Sequence, residues 1–134
     1  MRILLILLAL LLVPTLAWAE GSVVKQSTCT ITWTAPQTNA DGTPLADLKE
    51  YGVYLGPSPA SLTAPVAVVA APAPDPATGA TASMSCKGLA PGQYYAQVDA
   101  VDAAGNRSGR TPVVPFVSQD DVSPQAPTGL TVGP

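Results

Sequence analysis

The residues of this 134-residue chain best suited to chemistry are Cys29 and Cys86, the acids Asp99 and Asp102, and the basic loop Asn106-Arg107-Ser108-Gly109-Arg110. Two thiols can close one disulfide. A metal centre asks for more ligands, and the sequence holds no histidine to supply them. The same lack removes the commonest general base. Asp99 and Asp102, three positions apart, point to opposite faces of a strand and do not make the facing carboxylates of a glycosidase. Asp102 and Asn106 admit two readings, a weak calcium site or a capped turn, and the turn needs no ion. Neither a G-x-S-x-G elbow nor a phosphate-cradling glycine loop is present. The expectation is a protein that is not an enzyme, with no metal and no cofactor.

The chain opens with one positive charge at Arg2, runs apolar over residues 3–13, meets Pro14 and reaches Ala17-Trp18-Ala19. A charged start, a short apolar run and small residues at alternate positions read as a secretory signal peptide over residues 1–19. The rival reading, an uncleaved anchor, asks for about 20 apolar helical residues, and Pro14 cuts this run short. The expected location is therefore secreted or periplasmic, without stable membrane insertion after cleavage. In that oxidising setting, Cys29 and Cys86 are expected to pair. Six basic residues against nine acidic ones leave a net charge of −3, with no basic stripe to attract nucleic acid. The remaining length suits one core.

The elements that must position these residues are short. Cys29, Ile31 and Trp33 alternate with Thr28, Thr30, Thr32 and Thr34, a period of two that predicts a strand with one buried face. Tyr51, Val53 and Leu55 repeat the pattern and leave Tyr54 on the opposite face. Residues 66–70 form a brief edge strand between prolines, and residues 71–76 read as exposed polyproline. Alternation returns over residues 80–86. It returns again where Tyr94, Ala96, Val98 and Ala100 oppose Tyr95, Gln97, Asp99 and Val101, and a last strand is expected around residues 111–117. With 15 prolines and 11 glycines falling between the runs, this is an all-β, two-sheet sandwich pattern.

Over residues 28–117 the chain resembles the fibronectin type III family, an immunoglobulin-like fold. Trp33 followed by Ala35-Pro36 resembles the family's second strand and its core tryptophan, and Tyr51-x-Val53 the start of its third. Leu89-Ala90-Pro91-Gly92 before Tyr94 resembles the tyrosine corner. Asp102, Gly105-Asn106 and Ser108 continue the pattern through the loop before the last strand. By loop length Tyr95 fits the corner better. Alternation selects Tyr94, because a slip of one residue would bury Gln97 and Asp99. Typical members lack the Cys29 and Cys86 pair. The resemblance implies that the strands carrying them are antiparallel neighbours, which makes a cross-strand disulfide geometrically feasible.

The resemblance implies a domain over residues 20–118 and a binding or spacer role, with an unidentified protein or polysaccharide as partner, carried by loops and exposed side chains. Tyr54 and Tyr95, outward by alternation, and Arg107 and Arg110 in the loop are the candidate contacts. The alternative for the two arginines is an ordinary solvated hairpin. Asn106-Arg107-Ser108 also satisfies the glycosylation rule, but the Ala/Pro-rich composition has a bacterial, cell-envelope character. Residues 119–134 resemble a linker and the first strand of a following repeat. Three readings stand: a disordered remnant, a strand pairing with its own sandwich, or Leu130 and Val132 adding to a neighbouring molecule. The last would make the chain a structural subunit that self-associates through its C-terminal tail.

Overall fold

The computed structural model describes residues 21–71 and 79–133. The expected signal peptide and most of the proline-rich stretch lie outside the described residues. Seven strands follow in chain order: β1 (Ser22–Lys25), β2 (Thr30–Thr34), β3 (Leu48–Gly56), β4 (Ala67–Ala70), β5 (Thr81–Ser85), β6 (Gly92–Asp102) and β7 (Val114–Gln119). A single 3-10 turn at Pro59–Ser61 is the helical element among the described residues. No helix there is long and apolar enough to cross a membrane.

The strands form two sheets, a larger one ordered β1-β7-β6-β3-β4 and a smaller one of β2 and β5 alone. Alternation explains how they face each other. Trp33 from β2 and Ala82 from β5 meet Tyr51 and Val53 from β3 and Val98 from β6 in one apolar cluster. Val53 and Tyr51 are the most deeply buried, at 0% and 1% exposed. The Trp33 and Tyr51 rings meet edge to face, with centroids 5.2 Å apart, a geometry that adds to area burial. A second cluster joins Cys29 and Cys86 to Ala96 and Phe116, with Tyr94 packed against it and stacked on Phe116 at 5.7 Å. Tyr94 thus faces the core, as its alternation with Ala96 and Val98 requires.

β2 and β5 pair antiparallel from Thr30 opposite Ser85 to Thr34 opposite Thr81. Continuing that register by one step sets Cys29 opposite Cys86. The two are bonded there, with Cα atoms 4.9 Å apart, inside the range a disulfide accepts.

β1 pairs parallel with β7, Ser22 opposite Phe116 and Lys25 opposite Gln119. A tight turn (Thr28 N donating to Lys25 O, 3.1 Å) then carries the chain across to β2 in the other sheet. β2 therefore has β5 on one side and no strand on the other among the described residues. Beyond β7, residues 120–133 form no strand, and Leu130 and Val132 are 94% and 92% exposed. The tail makes no strand pairing with its own sandwich.

The disulfide closes a loop of 57 residues, worth about 4 kcal/mol in the chain-entropy model. The double variant Cys29→Ala/Cys86→Ala should lose stability of that order in urea denaturation. A loss under about 1 kcal/mol would show that the β2–β5 pair stands without it.

Candidate functional site

Three of the four side chains expected to contact a ligand meet on the outer face of the larger sheet, but they meet each other. In the β3–β6 ladder Gly52 lies opposite Asp99 and Tyr54 opposite Gln97. Beyond β6 the chain turns at residues 102–106, where Asn106 donates to both Asp102 carboxylate oxygens at 2.8 Å. These bonds hold the Asp102 carboxyl below the ordinary carboxylate range. This is the capped-turn reading of the Asp102/Asn106 pair, and no cluster of three or more metal-ligating side chains occurs among the described residues.

The turn brings Arg107 back over the sheet. Its Nε and Nη2 donate to Asp99 Oδ2 and Oδ1, each at 2.9 Å, and Nη2 also donates to the Tyr54 hydroxyl at 3.2 Å. The Tyr54 hydroxyl donates to Asp99 Oδ2 at 2.9 Å, and the Gly52 amide to Oδ1 at 3.2 Å. Four donors converge on one carboxylate, which satisfies a buried charge. Glycine at position 52 makes room for the pair, since a Cβ there would sit 2.5 Å from both Arg107 Nη2 and Asp99 Oδ1 and would have to displace them. The carboxylate partner raises the Arg107 pKa further above its ordinary value. Arg110 lies with Cζ 3.7 Å above the centre of the Tyr54 ring and donates to the Leu62 carbonyl.

This corrects the expected surface. Tyr54 is on the outer face, as alternation demands, yet it is only 3% exposed because Arg107 and Arg110 cover it. Asp99 and Val101, expected to face solvent with it, are 4% and 5% exposed. Tyr95 is half-buried, opposite Gly56. Arg107 and Arg110 fasten the loop to the sheet and are not free hairpin cations. Ser108 and Thr111 complete the fastening by accepting the amides of Ala100 and Val98 on their hydroxyls, at 2.9 and 3.1 Å.

The feature that stands open lies between the sheets. A cleft of about 410 Å³ runs beside β2, lined chiefly by Val24, Ile31, Trp33, Val98, Val114 and Phe116. No residue of the β5 strand lines it, while β1, β6 and β7 do, so it lies on the strand-free side of β2. Cys29 O accepts from Cys86 N and Ala35 N donates to Ala80 O. By antiparallel alternation the odd-numbered backbone groups thus face β5, and those of Thr30, Thr32 and Thr34 face the cleft. A second hollow of about 300 Å³ shares Trp33, Val98 and Thr111 with the first and reaches Tyr51. There the buried Trp33 Nε1 and Tyr51 hydroxyl have no hydrogen-bond partner, an uncommon state for buried donors. Sequence reasoning missed the cleft; its one trace is the thin apolar content of residues 22–26, which hold Val23 and Val24 alone.

The tail is tied down at its root, Ser27 donating to Asp121 from its amide at 3.0 Å and from its hydroxyl. Comparison of the chain with protein-family models, with curated proteins and with solved structures returned no match.

Two outcomes are expected. Arg107→Ala leaves the buried Asp99 carboxylate without its cation and should lower the urea midpoint, by less than the loss of a fully buried pair because the guanidinium is half exposed; wild-type denaturation of the variant would show that the pair contributes nothing. The Ser27 bonds lower the Asp121 pKa from 3.8, so the tie is complete above that pH and is lost as pH falls through the lower folded value. The Ser27 amide resonance should stay constant from pH 7 to about 4 and move only below.

Proposed function

We propose that this chain is an exported, non-catalytic module of fibronectin type III type that binds an extended polypeptide along the free edge of β2. The observation that carries this reading is the apolar cleft of about 410 Å³ beside a strand whose outer backbone groups have no strand partner. A sheet edge and a groove for alternate side chains are the two elements of β-strand addition. Sugars are recognised through exposed aromatic faces and polar groups, and the outer-face tyrosine best placed for that, Tyr54, is covered. Polypeptide is therefore preferred over polysaccharide.

The strand arrangement supports the family assignment. β4-β3-β6-β7 opposite β2-β5 is the order the resemblance implies, with Trp33, Tyr51 and Tyr94 turned inward. The departure is β1, which lies on β7 and leaves empty the place of a first strand beside β2. A non-catalytic role is supported by the saturated carboxylate of Asp99 and the bound carboxylate of Asp102. The disulfide suits an oxidising compartment and so supports secretion or a periplasmic location.

Hydrogen exchange of the ¹⁵N-labelled protein tests this. Capped octapeptides that alternate apolar residues with threonine should slow exchange at Thr30, Thr32 and Thr34 and shift the Trp33 indole resonance. Soluble cello- and xylo-oligosaccharides should leave both unchanged. Protection by the sugars and by none of the peptides would overturn the reading.

A further inference from the structure

Resting on the same peptide-binding reading of the cleft, we propose that its occupant is the C-terminal tail of a second copy of this chain, with Leu130 and Val132 as the inserted side chains. The molecule carries both halves of a strand-addition interface. One half is the strand-free edge of β2, five residues long. The other is Thr128-Gly129-Leu130-Thr131-Val132, whose apolar residues sit two apart, so both point the same way in an extended strand. Leu130 and Val132 are the two most exposed large apolar side chains among the described residues, at 94% and 92%.

The pieces match in size and chemistry. An antiparallel or parallel strand laid against β2 offers its backbone to the edge groups of Thr30, Thr32 and Thr34. Its inward residues descend between Ile31 and Trp33 on one side and Val98, Val114 and Phe116 on the other. Its carbonyls also come to the mouth of the hollow where Trp33 Nε1 and the Tyr51 hydroxyl lack acceptors. Gly129 now has φ +78 and must become extended, a change glycine makes without steric cost.

The linker favours a neighbour over the tail's own cleft. Asp121 is held to Ser27, and from there Pro124 and Pro127 each force the residue before them into extended backbone. Residues 122–133 span up to about 40 Å when fully extended, enough to pass beyond the body of a domain this size. Donor and acceptor are different surfaces, so the contact is heterologous and builds a ring or an open filament.

The test uses the full chain. Sedimentation of the wild type should show oligomers that grow with concentration, and Leu130→Asp/Val132→Asp should be monomeric with an unchanged melting temperature. In the ¹⁵N-labelled double variant, whose cleft is intact, unlabelled wild type or a synthetic peptide of residues 126–133 should slow exchange at Thr32 at least tenfold. Monomeric wild type with no protection of Thr32 by either probe up to about 1 mM (a free energy near −4 kcal/mol) would overturn the proposal. So would a monomeric wild type whose Thr32 is already protected and loses that protection in the double variant, since the tail would then close its own cleft. If the alternating octapeptides protect Thr32 and the tail peptide does not, the second-copy proposal falls and the peptide-binding reading stands. If no peptide protects it, both fall.

Discussion

The Cys29–Cys86 bond carries the smaller sheet, and the rest of the architecture depends on that sheet staying where it is. Two strands alone are marginal in water, and β2 and β5 have only each other as strand neighbours among the described residues. The disulfide lies one register step beyond their ladder and inside the apolar cluster formed with Ala96 and Phe116. It therefore clamps the pair together and packs against the larger sheet at Ala96 and Phe116. Without a fixed β2, neither the Trp33–Tyr51 contact nor the cleft beside it keeps its shape.

The opposite face is held by charge. Asp99, Arg107, Tyr54 and Arg110 link two strands to the loop that follows them, and Ser108 and Thr111 lend hydroxyls where a continuous ladder would have supplied carbonyls. The loop that carries ligand contacts in many sandwiches is here committed to its own sheet. Of the sheet edges, that of β2 is the one that borders the apolar cleft.

Strand positions were legible because alternation is a local property. Thr28 to Thr34 and Tyr94 to Ala100 each declare one buried face without reference to the rest of the chain, and the choice of Tyr94 over Tyr95 followed from keeping Gln97 and Asp99 out of the core. The burial of Asp99 and Tyr54 was not legible. It depends on Arg107 returning across the sheet after the turn at residues 102–106 and on the absent side chain of Gly52 opposite. Alternation reports which face a residue occupies; it does not report what later covers that face. The place of β1 was equally hidden, because four residues with two valines fit the edge of β7 as well as that of β2, and that choice decides whether a cleft exists.

Ile31 and Trp33 line the cleft beside the free edge of β2, and Leu130 and Val132 stand exposed on the tail; the proposed strand addition would join the two. The most direct measurement is an isotope-filtered NOE experiment on a mixture of ¹³C-labelled and unlabelled chains. Intermolecular cross-peaks are predicted between the methyl groups of Leu130 and Val132 of one copy and the Trp33 indole of another. Contacts from those methyl groups only to residues of the same copy, or none to Trp33 at concentrations where the chains associate, would contradict strand addition at β2.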